Sequence, residues 1–368
     1  MKKVLLSLLA ALLLGYGLLQ SSVVQRALLT AALPEWPQWP EAVTHLAQGG
    51  DGEIYFATQT PHDFDVLLRE EVDKTPTTGL GYLTLPERLD GSSSVPAMIL
   101  LPGSGGISAG REHEYAAWLN ENGIAVFVVE YYLPRGATKE TDYALKTAAV
   151  TEFDIISDAY AALQLLSSHP SIDGERIGVM GFSYGGMATR FAMDERFRRS
   201  LAPQSAGFAL HIDVYGPCFQ NLQTADTNGS PLLTLRGTED KSNDLEACVL
   251  RENELRSLGV EVEAIVYPGA GHSWENDAPQ VLSSSPYISG CEVTYDSAGY
   301  AYLNGQPHTR NAADTDRLDR IRGRLASGIA FKDCLQYGYL VGSDDTTQEK
   351  ANAAILRFLQ RHFFQLVN

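Results

Sequence analysis

The sequence predicts an α/β protein: a mostly parallel central sheet with helices on both faces. Three observations carry this. Short apolar runs rich in β-branched residues recur along the chain, at Val95–Leu101, Ile124–Val129, Ala209–Val214, Leu232–Leu235 and Val260–Tyr267. Segments of helical periodicity fall between them, and that alternation selects parallel strands joined by crossover helices. One further run, Arg176 to Met180, ends in Gly181-Phe182-Ser183-Tyr184-Gly185, and a helix-compatible stretch follows at once. A strand, a sharp turn carrying serine and a helix form the context in which that serine stands clear of the backbone.

The N-terminus lies outside this pattern. Lys2-Lys3 precede an apolar run from Val4 to Leu14 that continues to Leu19, which reads as a secretory signal. The small-residue cleavage match is poor at Gly15-Tyr16-Gly17, so an uncleaved membrane anchor is the alternative for residues 1–32. Either way the remainder is expected outside the cytoplasm, periplasmic or secreted. Four cysteines, Cys218, Cys248, Cys291 and Cys334, fit an oxidising compartment, and neighbourhood favours Cys218–Cys248 and Cys291–Cys334.

The chain has 368 residues, 44% of them hydrophobic and 20% charged, enough for one large or two ordinary domains. Its formal charge of −17, from 28 basic and 45 acidic residues, argues against nucleic acid and anionic membrane surfaces as partners. Oligomeric state is not readable from it.

In order, Leu33 to Pro40 reads as an extended linker, then Glu53–Ala57 and Leu80–Leu85 as the antiparallel strands that open the sheet. Val95–Leu101 runs into Pro102-Gly103-Ser104-Gly105-Gly106. That loop is either a plain turn or a set of backbone N–H groups presented to a developing oxyanion. Ser104 and Tyr184 are the expected donors, with Gly103 or Gly105 as alternatives to Ser104. Glu112–Asn122 is expected to be helical. After Ile124–Val129, the loop containing Glu130, Tyr131 and Arg135 either lines a substrate pocket or holds an internal Glu–Arg pair. Ala149–Leu166 has one apolar face and reads as a single amphipathic helix. Leu245–Leu258 reads as helical, and Thr346-x-x-Glu349 as a capping box opening the last helix.

A serine hydroxyl is a weak nucleophile without a base to take its proton. Of eight histidines, only His272 sits in a glycine-flanked loop beyond a strand that follows the serine. The base in turn needs a carboxylate to hold its tautomer. Asp240, after Leu232–Leu235, is the favoured acid; Glu239, Asp244 and Asp213 are the other candidates, Asp244 reading also as a helix N-cap. The order Ser183, Asp240, His272 is that of α/β-hydrolases. No metal-ligand spacing and no dinucleotide-type Gly-x-Gly-x-x-Gly is present, so neither metal nor cofactor is expected.

Leu101-Pro102-Gly103-Ser104-Gly105-Gly106, Glu130 through Arg135-Gly136, Gly181 to Gly186, Gly237-x-x-Asp240 and Tyr267 to His272 together resemble the dienelactone hydrolase family, closest to its exported, serine-using branch. The likeness spans roughly Glu53 to His272 and resumes in the last helix. It implies an α/β-hydrolase fold over residues 33–368 and cofactor-free hydrolysis of a small carboxylic ester or lactone. The serine where founding members use cysteine sets the dienelactone substrate itself aside. Pro102 stands where many relatives have histidine. The span from Ser273 to Asp345 is long for this family and reads as an insertion, either a disulfide-stapled excursion beside the site or a peripheral ornament. A serine peptidase of the same fold, or an inactive scaffold used for binding, are the competing functions.

Overall fold

The computed structural model describes residues 21–33, 35–69, 75–87, 94–308 and 316–364. The leader run from Val4 to Leu19 lies outside them. Among the described residues no helix is long and apolar enough to cross a membrane.

The expected sheet forms, with eight strands. They are β1 (Gly52–Thr60), β2 (Thr75–Thr84), β3 (Val95–Leu101), β4 (Ala125–Glu130), β5 (Ile172–Phe182) and β6 (His211–Val214). After the two-residue β7 (Gln220–Asn221), which pairs elsewhere, come β8 (Leu232–Gly237) and β9 (Val262–Tyr267). The spatial order is β1-β2-β4-β3-β5-β6-β8-β9. Only β2 runs against its neighbours; from β4 to β9 every pairing is parallel.

Besides two short helices at Phe64–Leu68 and Glu195–Leu201, the α-helices among the described residues are α1 (Ser22–Ala32), α2 (Glu114–Glu121), α3 (Tyr143–Ala149), α4 (Glu152–Leu166), α5 (Tyr184–Phe191), α6 (Leu245–Ser257), α7 (Arg317–Gly328) and α8 (Asp345–Leu359). Strand periodicity explains how they cover the sheet. Successive side chains of β3 point to opposite faces. Ala97, Ile99 and Leu101 pack with α4, while Met98 and Leu100 pack with α2 and α8. Both faces are buried, hence the unbroken apolar runs.

Three expectations change. Ala149–Leu166 is not one helix: Thr151 leaves the helical region and caps α4, reciprocally bonded with Asp154, so the chain breaks between α3 and α4. The last helix starts earlier than Thr346. Its cap is Asp344, whose carboxylate accepts the Thr347 N–H at 3.1 Å. The helix after β3 begins at Glu114, behind a π-helical turn at Ala109–His113.

Residues 22–32, which the leader reading covered, fold against the domain. Leu29 is buried in the same core cluster as Ile321 of α7, and Arg26 pairs with Asp316 at 3.0 Å and with Asp319. In the linker that follows, Trp36 lies under the guanidinium of Arg317 at 5.0 Å.

The span after His272 builds two small sheets. β10 (Val281–Ile288) pairs antiparallel with β14 (Leu335–Val341). β11 (Val293–Tyr295), β12 (Ala301–Leu303) and β13 (Gln306–Pro307) form the other, which β7 joins. Cys291–Cys334 ties this span to itself and Cys218–Cys248 ties β7's loop to α6, with Cα separations of 5.7 and 5.0 Å.

Candidate active site

The turn after β5 shows why its glycines are required. Ser183 has φ 54° and ψ −114°, a conformation that costs an L-residue on the order of 1–3 kcal/mol. The Ser183 N–H donates to Val214 O at 2.9 Å, and α5 begins at the next residue. A Cβ on Gly181 would stand 2.1 Å from Gly185 O, and one on Gly185 2.1 Å from Leu101 O. Only bare backbone lets β5, α5 and the end of β3 approach this closely.

The three residues expected to act together meet at this point. Ser183 Oγ lies 3.0 Å from His272 Nε2, and His272 Nδ1 lies 2.6 Å from Asp240 Oδ2. Asp240 is buried. Its other oxygen accepts the Ser242 N–H at 3.1 Å and the Ser242 hydroxyl at 2.5 Å, and Asn243 Nδ2 donates to Oδ2. Burial alone would raise this carboxyl. The adjoining His272 imidazole and these donors outweigh it and hold the group below the usual carboxylate range.

The competing acids are otherwise engaged. Asp213 sits at the end of β6 between two buried arginines, Arg190 at 2.5 Å and Arg236 at 2.8 Å. Asp244 caps α6 through the Ala247 N–H at 3.1 Å. Glu239 faces Lys241 at the surface.

The glycine loop after β3 stands against the serine. A Cβ on Gly103 would be 3.4 Å from Ser183 Cβ. The Tyr184 N–H is the first of α5, with no intrahelical acceptor in reach by position, and Ser104 and Tyr184 both line the cavity over Ser183.

The Glu130–Arg135 loop behaves differently from either expectation, and none of its three named residues lines that cavity. Arg135 is fully buried and forms a two-pronged pair with Asp158, at 2.7 and 2.9 Å, not with Glu130. Glu130 accepts the Tyr132 N–H at 2.9 Å and the Leu133 N–H at 3.2 Å, closing its own turn. Tyr131 donates its hydroxyl to Pro102 O at 3.0 Å and to Gly103 O, and Tyr132 donates to Ser104 O at 3.1 Å. The loop therefore braces the glycine loop from behind.

The cavity measures about 1080 Å3. One wall comes from the sheet's loops and the other from the insertion, through Tyr287, Tyr295, Arg324, Leu325, Phe331 and Tyr339. β14 also laces the site's own loops together. His272 N–H donates to Leu340 O at 2.7 Å, Gly342 N–H to His272 O at 3.0 Å, and Leu340 N–H to Glu239 O at 3.3 Å. The Tyr339 ring meets the imidazole edge-on at 5.7 Å, and the Tyr215 ring lies 4.5 Å from it on a tilt. Trp274, one residue beyond Ser273, is instead fully buried beside Tyr215 and Tyr267. Sequence reasoning named neither Ser242 and Asn243 nor Tyr215. Asp-x-Ser-Asn carries no distinctive signal, although two short polar residues just past a loop carboxylate suit donors to it.

The dienelactone hydrolase family model matches residues 81–303. The chain belongs to the dienelactone hydrolase family. Among curated relatives it is similar to "Uncharacterized peptidase YuxL" of Bacillus subtilis (strain 168), at 23% identity over 56% of this chain and 36% of that protein. It is also similar to "Probable carboxylesterase SOBER1-like" of Arabidopsis thaliana, at 29% identity over 43% of this chain and 55% of that protein. The chain thus spans between a third and about half of the length of these two relatives. Among solved structures it resembles the propionate-bound Est2 of Thermogutta terrifontis, a thermophilic esterase, with a TM-score of 0.42 at 16% identity, covering 56% of this chain and 83% of that one. Topology and family agree on an α/β-hydrolase fold.

Proposed function

We propose that this chain is an exported serine hydrolase that cleaves carboxylic esters or lactones through an acyl-serine intermediate. The observation that carries the reading is the hydrogen-bonded series Ser183 Oγ, His272 Nε2, His272 Nδ1 and Asp240 Oδ2. In this reading His272 Nε2 takes the hydroxyl proton as Ser183 Oγ bonds to the ester carbonyl carbon. The carbonyl oxygen becomes an oxyanion facing the Ser104 and Tyr184 N–H groups, preformed donors that need no reorganisation as charge develops. Collapse breaks the bond to the alcohol, which leaves with the proton from His272. Water then repeats the cycle on the acyl carbon. Asp240, ionised and buried, keeps the proton on Nδ1 and so leaves Nε2 free to act as base.

Two disulfides and the basic, apolar N-terminus support export, to periplasm or exterior, with the leader either removed or kept as an anchor. The peptidase alternative gains support from the YuxL relative. The walled cavity argues against it, since an extended polypeptide needs an open cleft on both sides of the scissile bond. Labelling the purified protein with a fluorophosphonate, alongside p-nitrophenyl ester and chromogenic peptide panels, tests all three functions. Labelling at Ser183 with ester turnover supports the proposal. Absence of labelling favours a binding scaffold, and peptide turnover above ester turnover favours a peptidase.

A further inference from the structure

The cavity over Ser183 is rich in aromatic side chains. Phe64, Phe153, Phe219, Tyr295 and Phe331 all line it. Phe64, Phe153 and Tyr295 are buried and packed together, Phe64 stacking on Phe153 at 5.2 Å and on Phe197 at 4.8 Å, so they form a closed floor, whereas the half-buried Phe219 and Phe331, which meet edge-on at 6.3 Å, keep open ring surface. These rings come from the short helix Phe64–Leu68 between β1 and β2, the start of α4, the loop ahead of β7, β11 and the turn after α7. Parts so distant in sequence form one aromatic chamber only because the insertion folds back over the sheet. At about 1080 Å3 the whole space lies at the upper end of the ~300–1,000 Å3 usual for small-molecule sites. An acetyl or propionyl group would leave most of it unfilled.

The chamber is not uniformly apolar. Glu152, at the first turn of α4, is fully buried and its carboxylate is held by the Tyr184 hydroxyl at 2.6 Å, by Gln220 Nε2 at 3.2 Å and by Arg324. Arg324 keeps 24% of its side-chain surface open and itself lines the cavity. A long alkyl chain laid here would strip water from that guanidinium and give nothing in return. An aromatic ring stacks against ring faces and edges and is tolerated over a guanidinium, and a hydroxyl on it would accept from the arginine.

We infer that the substrates are esters in which one side of the ester bond carries an aromatic ring with a polar substituent, the ring seated against the half-buried Phe219 and Phe331 and the substituent at Arg324. This deepens the hydrolase reading and rests on it. The ring fills space that small acyl groups leave empty, and the ester carbon stays at Ser183 because Tyr184 links the two places: its N–H faces the carbonyl and its hydroxyl meets Glu152.

The test uses the purified protein and four esters read by acid release: ethyl acetate, ethyl decanoate, ethyl 3-(4-hydroxyphenyl)propanoate and 2-(4-hydroxyphenyl)ethyl acetate. At least one aromatic ester should exceed both aliphatic ones about tenfold or more in kcat/KM, and which one does assigns the chamber to the acyl or the alcohol side. Leu325→Trp, which fills the chamber from α7, should cut the aromatic-to-acetate ratio about tenfold. Ethyl acetate or ethyl decanoate turned over as well as both aromatic esters overturns the inference, and so does a ratio unchanged by Leu325→Trp. Where the variant does not fold, the wild-type panel decides alone. Fluorophosphonate labelling of the same preparation separates the two readings. A labelled protein that prefers aliphatic esters sinks only the substrate class, whereas an unlabelled one that hydrolyses none sinks the hydrolase reading with it.

Discussion

Ser183 sits in a backbone conformation that L-residues avoid, and the cost is carried by the close approach of Gly181, Gly185 and Leu101 around it. Its partners separate cleanly by what they touch, which yields opposite expectations for two aspartates. Asp240→Asn should lower ester turnover by roughly 10⁴-fold while the protein stays folded, because the amide misorients the imidazole yet keeps its shape. Asp213→Asn should instead destabilise the fold by about 3–5 kcal/mol, since it strips Arg190 and Arg236 of their shared buried carboxylate. Turnover and urea midpoints measured on both variants decide it, and reversed effects would reassign the acid. His211 makes a different kind of prediction. It is buried on β6 with no hydrogen-bond partner at either ring nitrogen among the described residues, and burial pushes it down from 6.5 to about 3. Between those values the unfolded chain binds a proton that the native state refuses. Stability is therefore whole above about pH 6.5 and falls as the pH drops toward 3, by up to ~1.4 kcal/mol per unit from this group. His211→Leu should show a smaller loss of urea midpoint between about pH 7 and about pH 5 than wild type; an equal loss would assign the acid sensitivity elsewhere. Ser183, His272 and Asp240, the proposed nucleophile, base and acid, were nameable from sequence because each stands just past the end of a strand. Arg135 was not, because its carboxylate, Asp158, comes from α4, and nothing local marks that pairing.

The strands and their order follow from apolar runs and their spacing, while the helix boundaries turned on single capping residues. Ala149–Leu166 reads as one helix with an apolar face, yet Thr151 with Asp154 satisfies the first N–H groups of a new helix and wins over that periodicity. The same competition moved the N-cap of α8 to Asp344, whose carboxylate reaches the Thr347 N–H without help from Thr346. α1 marks where the folded domain begins among the described residues. It falls within residues 1–32, read as leader or anchor, and Leu29 and the adjoining Leu33 are buried in the main core cluster while Arg26 reaches α7. A protein beginning at Glu35 should thus melt below one beginning at Ser21, by an amount corresponding to about 1.5–3 kcal/mol for each buried leucine lost. Equal melting temperatures would show that α1 is dispensable. Cys218–Cys248 closes a loop of 30 residues and should contribute roughly 3–4 kcal/mol in the chain-entropy account. Comparison of urea midpoints for Cys218→Ser/Cys248→Ser and wild type checks this, a difference below 1 kcal/mol being the contrary result.

The molecule as a whole is a hydrolase sheet of familiar plan whose active face is walled by one long insertion. The sequence marks where that insertion leaves the sheet and favours a Cys291–Cys334 pairing within it. Its direction did not show, because aromatic residues such as Tyr287, Tyr295 and Tyr339 read alike in a surface ornament and in a cavity wall. β14 settles their place by pairing its backbone to the loops of Asp240 and His272. The strongly acidic surface, at a formal −17, bears on solubility and on which partners are repelled, and leaves the reaction to the site. The central claim is that Ser183 carries the acyl group during turnover. Intact-protein and peptide mass spectrometry after rapid acid quench of the enzyme with a p-nitrophenyl ester tests it most directly. The account predicts one acyl mass per chain, on the peptide containing Ser183, and none in Ser183→Ala. An acyl mass on another residue, or undiminished ester turnover by Ser183→Ala, would contradict it.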